Sequence, residues 1–132
     1  MIGYVTIGTN DLARARSFYA DLLGTIGAKE MMRIDDHTGF TLYGTGMDRP
    51  GIVVLKPFNQ APADPGNGNM IAIPFTSTDK VDAFHARALE LGGTDEGAPG
   101  HRGDPADGYY FSYFRDPDGN KICAFNLPGM GA

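Results

Sequence analysis

Tyr4-Val5-Thr6-Ile7 returns 66 positions later as Met70-Ile71-Ala72-Ile73. The same shift, half of the 132-residue chain, lays Phe18-Tyr19-Ala20 on Phe84-His85-Ala86, Leu23 on Leu89, Gly27 on Gly93 and Glu30 on Glu96. A half-length repeat means two copies of one supersecondary unit, neither of which buries its apolar face alone. The cleft between pseudo-equivalent strands is then a natural place for a ligand.

Outward from Tyr4, residues 2–8 are β-branched and apolar and predict a strand. Asn10 is the expected helix N-cap, with Asp11 in the first turn. Leu12, Ala15, Phe18, Tyr19, Leu22 and Leu23 follow at helical spacing, and Gly24 is expected to close the helix in a left-handed conformation. Strands are expected near 28–34, 39–44 and 51–57. The Pro-, Gly- and Asn-rich stretch from Pro57 to Asn69 reads as a linker.

The second half repeats the order. A strand over 70–76 leads to a helix capped by Ser77 or Thr78, with Val81, Phe84, Ala88 and Leu91 on one face. Gly92-Gly93 stops it. A short strand near 94–96, a Gly-rich loop over 97–108 and strands over 109–114 and 121–127 complete the half. Between the last two lies Asp116-Pro117-Asp118-Gly119-Asn120, with Pro and Gly where a turn needs a fixed and a positive φ. The expected fold is α+β. It is one domain of two βαβββ modules, 1–57 and 70–132 joined by 58–69, with a curled mixed sheet around a pocket.

Composition narrows the partners. Apolar residues make up 42% and charged residues 20%, as in an ordinary globule. No apolar run approaches the roughly 18 residues of a membrane span. Met1-Ile2-Gly3-Tyr4 lacks the basic start of a signal peptide, and the one cysteine, Cys123, has no partner for an internal disulfide. A cytoplasmic protein is expected. The net charge is −5 and Lys and Arg are scattered singly, so nucleic acid is not an expected partner. Gly44-Thr45-Gly46 and Gly66-Asn67-Gly68 are turns; neither has the spacing of a phosphate loop.

Thr9-Asn10-Asp11-Leu12 through Phe18-Tyr19 to Leu22-Leu23-Gly24 resembles the opening of the vicinal oxygen chelate superfamily, which includes glyoxalase I, bleomycin-resistance proteins and extradiol dioxygenases. Val81-Asp82-Ala83-Phe84-His85 with Gly92-Gly93 is similar to its second helix. Arg115-Asp116-Pro117-Asp118-Gly119-Asn120-Lys121-Ile122 is similar to its last hairpin. The resemblance implies a pocket whose enzymes hold a divalent metal with four side chains, commonly His and Glu, from the first and fourth strands of each module. This sequence departs there. The resemblance sets Tyr4, a residue at or next to Val53, Met70 and Cys123 at those places. Hard divalent ions want oxygen and imidazole ligands, so no metal and no cofactor are expected. A Cu(I) site from Tyr4, Met70 and Cys123 is the alternative, set against Met and Cys as core filler.

The residues expected to touch a small-molecule ligand are Tyr4, Thr6, Val53, Met70, Tyr113, Cys123, His101 and Arg102. Tyr4 is read as a hydrogen-bond donor on the pocket floor or as a core aromatic. Cys123 is read as a small buried hydrophobe or, given a base, a nucleophile. His101 and Arg102 lie in the Gly-rich loop and are read as a lid meeting a carboxylate or phosphate, or as solvated. His85 is expected to be structural and His37 to lie in a hairpin turn. Tyr109, Tyr110, Phe111, Tyr113 and Phe114 crowd one strand, one face of which enters the core. The function expected is a glyoxalase/bleomycin-resistance-like binding protein without the usual metal ligands, working as a homodimer. The alternative is a glyoxalase-type lyase or dioxygenase-like enzyme, metal-free or with a non-standard metal site; no catalytic residue is assigned.

Overall fold

The computed structural model describes residues 1–131, with two helices and eight strands in two four-stranded mixed sheets. The fold is α+β, and each sheet comes from one βαβββ run. The contacts divide the chain into two compact units.

The first unit comprises Met1–Gly66 and Pro117–Asn120. Its elements are β1 (Tyr4–Gly8), α1 (Leu12–Gly24), β2 (Lys29–Arg33), β3 (Thr41–Gly44) and β4 (Gly51–Leu55), in sheet order β1-β4-β3-β2. β1 lies parallel to β4 with Thr6 beside Val53, and β3 is antiparallel with Leu42 beside Val53. Because side chains alternate, Tyr4, Thr6, Val53 and Leu42 share one face. Ile7, Val54, Thr41 and Tyr43 share the other. That face carries α1, whose Ala15, Phe18, Tyr19, Leu22 and Leu23 are buried. The Tyr43 hydroxyl donates to the Arg16 carbonyl at 3.2 Å, and Arg16 Nε donates to Thr41 Oγ1 at 2.9 Å. Each such buried aliphatic or aromatic side chain contributes roughly 1.5–3 kcal/mol.

Two expectations for α1 are corrected. The N-cap is Asp11, whose extended backbone (φ −144°) lets its carboxylate accept the Arg14 amide at 3.1 Å. Asn10 instead clasps the stretch expected as a linker: its Oδ1 accepts the Ala63 amide at 2.6 Å and its Nδ2 donates to the Ala63 carbonyl at 3.2 Å. Gly24 stays helical, and the left-handed residue comes three positions later at Gly27 (φ +82°).

The second unit comprises Asn67–Asp116 and Lys121–Ala132, described to residue 131. It holds β5 (Ile71–Pro74), α2 (Thr78–Glu90), β6 (Thr94–His101), a 3₁₀ turn at Pro105–Asp107, β7 (Tyr110–Arg115) and β8 (Lys121–Asn126). The sheet order is β5-β8-β7-β6, with β5 parallel to β8. Ser77 caps α2 by accepting the Lys80 amide at 3.2 Å, and Gly92 (φ +111°) ends it. Phe84 of α2 meets Phe75 and Phe114 at 5.0 and 6.0 Å between ring centroids.

The Gly-rich loop expected over 97–108 is shorter. β6 runs on to His101 and pairs with β7 through two register breaks, between Asp95 and Gly97 and between Gly97 and Gly100. β6 is an edge strand, where bulges accommodate the glycines and Pro99 without costing a central ladder.

Candidate ligand site

β7 and β8 meet at the turn with Arg115 opposite Lys121, Tyr113 opposite Cys123 and Phe111 opposite Phe125. Alternation puts Ser112, Phe114, Ile122 and Ala124 toward α2. The opposite face therefore carries Phe111, Tyr113, Lys121, Cys123 and Phe125. The Phe125 and Phe111 rings lie 5.7 Å apart and 16° from parallel; Phe111 and Tyr113 lie 6.2 Å apart and 6° from parallel. Three half-buried rings thus form a strip along the sheet.

Two cations flank its end. The Arg102 guanidinium carbon is 5.5 Å from the Tyr113 ring centre and Lys121 Nζ is 5.2 Å from it. Both are within cation–π range. Arg102 is held by donating to the Gly100 carbonyl at 3.0 Å and the Ala98 carbonyl at 2.9 Å. Gly97 lies opposite Tyr113, and a β-carbon there would stand 2.9 Å from Tyr113 Cδ2 and 3.3 Å from Arg102 Nη2. The bare backbone is what admits the ring and the guanidinium together.

Burial pushes up the pKa of the Tyr113 hydroxyl, which is therefore a protonated donor near neutral pH. Beneath it Cys123 is fully buried and its thiol is pushed up to about 11, chiefly by burial, against the pull of Lys121 and Arg102. A neutral buried thiol is an apolar filler, not a nucleophile.

Of the residues expected at a site, Tyr113, Cys123 and Arg102 come together here. His101 does not join them: its ring meets Tyr110 edge-on at 5.1 Å, and the Tyr110 hydroxyl donates to Asp82 of α2 at 2.6 Å, on the opposite face. Met70, just before β5, is exposed. In the first unit Tyr4 and Thr6 are exposed on the face that also holds the buried Val53, and Tyr4 meets Phe40 edge-on at 5.6 Å. Tyr4 borders a small hollow of about 110 Å³ with Met31, Leu42 and Met47.

Sequence reasoning missed Lys121 and Phe125 as site residues, although the turn's register supplies both. It also missed a cavity of about 600 Å³ in the first unit, lined by Thr9, Asn10, His37, Lys56, Gln60 and neighbouring residues. His37 Nε2 there donates to the Phe58 carbonyl at 2.9 Å. Gln60 is the one non-glycine with positive φ (+64°) among the described residues.

A family model described as Glyoxalase/Bleomycin resistance protein/Dioxygenase superfamily matches residues 1–124. The chain belongs to that superfamily. The crystal structure of a glyoxalase/bleomycin resistance protein from Albidiferax ferrireducens T118 is similar over 97% of this chain and 99% of its own, with 37% identity and a TM-score of 0.81. TnmS3, an antibiotic binding protein from Streptomyces sp. CB03234, shares the fold at 19% identity over 96% of this chain and 95% of its own (TM-score 0.68). Lactoylglutathione lyase from Agrobacterium tumefaciens does so at 21% identity over 98% of this chain and 94% of its own (TM-score 0.65). Among curated proteins none matches.

The places that the resemblance sets for metal ligands are Tyr4, a residue at or next to Val53, Met70 and Cys123, and these side chains do not fit a divalent ion. Val53 and Cys123 are fully buried, one an aliphatic and the other a thiol that holds its proton; Tyr4 and Met70 are half exposed. A thioether and a neutral thiol are poor ligands for hard divalent ions. Among the described residues no group of three or more His, Cys, Asp and Glu gathers as a metal site. No helix of the described residues is long and apolar enough to cross a membrane.

Proposed function

We propose that this glyoxalase-superfamily chain is a small-molecule binding protein of the sequestering kind that works without the superfamily's usual metal. The observation that carries this reading is the strip of Phe125, Phe111 and Tyr113 with Arg102 and Lys121 at its end. Stacking area beside a few fixed polar groups is the make-up of a ligand site. The Cys123 sulfur beneath the strip is buried and neutral and does not serve as a nucleophile. That TnmS3 is an antibiotic binding protein on the same fold supports the binding role.

The other expected contacts are proposed for each unit by itself. Tyr4 and Thr6 offer hydroxyls on the open face of the first unit's sheet, above Val53, and Met70 offers a thioether. Exposed Tyr4, Met32, Met47 and Met70 support a homodimer, and the net charge of −5, with Lys and Arg scattered singly, speaks against nucleic acid. The lone buried cysteine suits a cytoplasmic setting.

The test is thermal unfolding against a small-molecule panel and against zinc, nickel and iron(II). A ligand at a hundredfold excess over its Kd adds about 2.7 kcal/mol. Shifts with flat organic molecules, lost in Tyr113→Ala, and none with metals are expected. Stoichiometric metal in the purified protein, with a stabilising shift on its addition, would overturn the reading. Light scattering at micromolar concentration should give a dimer's mass.

A further inference from the structure

The ligand face carries a charge opposite to that of the whole chain. The protein's net charge is −5. Yet Arg102, Lys121 and Arg115 stand at the Tyr113 end of the strip, where Arg115 holds Glu96 at 3.1 Å. The charges that reach the Cys123 thiol beneath the rings are those of Lys121 and Arg102. Lys121 is half-buried, and its ammonium makes no hydrogen bond or ion pair among the described residues; it lies over the Tyr113 ring. Arg102 spends one N–H on each of two carbonyls of its own strand region, and a guanidinium has five. The remaining donors and the ammonium stand over the Tyr113 ring, beside Phe111, and hold no carboxylate among the described residues.

We propose that the ligand of this face is a planar aromatic anion. Its ring system packs along the Phe125–Phe111 part of the strip, and its carboxylate, sulfonate or phenolate is taken by Arg102 and Lys121, with the Tyr113 hydroxyl as a further donor. The proposal rests on the binding reading above and narrows it to a chemical class. Charge-assisted bonds to a half-desolvated Arg and Lys are about twice as strong as neutral ones. A cationic ligand of the same shape meets two like charges and is rejected.

The experiment compares three probes of one shape by titration calorimetry on the full chain: 2-naphthoate, 2-naphthylmethanol and 2-naphthylmethylamine. Naphthoate should bind roughly tenfold or more tighter than the alcohol, about the factor that 1.4 kcal/mol gives, and the amine weakest. Added salt should narrow the gap. Arg102→Gln and Lys121→Gln should each shrink the naphthoate-to-alcohol ratio, and Phe111→Leu should weaken all three probes; melting curves check that each variant is folded. Equal binding of the three, or tightest binding of the amine, overturns the anion class while leaving small-molecule binding intact. Absence of binding by all three, with no panel compound whose effect depends on Phe111 or Tyr113, overturns both.

Discussion

Gly97 faces Tyr113 across β6 and β7 so closely that a β-carbon on Gly97 would stand 2.9 Å from Tyr113 Cδ2. That distance is shorter than carbon contacts allow. Gly97→Ala should therefore tilt the ring, at a cost of about 1–3 kcal/mol, and weaken every ligand that uses Tyr113. Gly24→Ala is the contrast. Gly24 ends α1 with open space around its missing side chain, and alanine there should stabilise by about 0.5 kcal/mol. Urea unfolding of both variants checks the pair; equal effects would refute the steric argument.

Asp118 sits in the hairpin turn yet finishes the start of α1. Its carboxylate accepts the Thr9 hydroxyl at 2.6 Å, the Asn10 amide at 3.0 Å and the Arg14 guanidinium at 3.1 Å. The side chain is 4% exposed, so its removal strands donors away from water. Asp118→Ala should cost about 2–4 kcal/mol. Arg14, itself 47% exposed, should cost under about 1 kcal/mol when changed to Ala. Chemical denaturation ranks the two, and a larger loss for Arg14 would reverse the assignment.

The Cys123 thiol sets a pH dependence. Its folded pKa of about 11 lies above the ordinary 9.0, so the folded state holds the proton more tightly. The sign follows from linkage: the stabilisation is full below pH 9 and is lost as pH rises through about 11. At two pKa units it is on the order of 2–3 kcal/mol. Tyr110, pushed up from 10.0 to about 12 by its bond to Asp82, adds to the fall above about pH 10. Unfolding free energy measured at several pH values from 8 to 11 should fall, and Cys123→Ala should flatten the fall. At pH 8 iodoacetamide should leave the folded thiol untouched.

His85 lies buried on α2, with Nε2 3.1 Å from Asp95 and the Phe114 ring 6.0 Å away, while its Nδ1 is buried without a hydrogen-bond partner among the described residues. Asp95 is 52% exposed and re-solvates readily. His85→Phe removes the orphaned nitrogen and keeps the volume, so stability should stay within about 1 kcal/mol. His85→Ala leaves a hole and should cost about 3 kcal/mol. Melting curves of the two variants decide between a packing role and a hydrogen-bonding one.

The fold was legible because a few residues speak unambiguously. The repeat between Tyr4 and Met70, the helical spacing from Leu12 to Leu23, and the Pro117-Gly119 turn name the elements and their order. Local caps were less so: Asn10 and Asp11 are both good N-caps, and tertiary use of Asn10 on Ala63 decided between them. β6 was hidden because its residues, Gly97, Pro99 and Gly100, are loop formers; pairing with β7 overrides their propensity. The site was half legible. Counting outward from the turn pairs Tyr113 with Cys123 and Phe111 with Phe125, and so assembles the aromatic strip. The approach of Arg102 to Tyr113 depends on two bulges that no periodicity encodes. The cavity at His37 and Gln60 depends on the path of an irregular segment and has no pattern at all.

The bond between Thr9 and Asp118 spans 109 positions. On the ribosome, the first sheet and α1 emerge long before their last fastener is made. The N-terminal unit therefore stays unfinished, its opening helix unlatched, until the Pro117–Asn120 turn has been made and has returned to it.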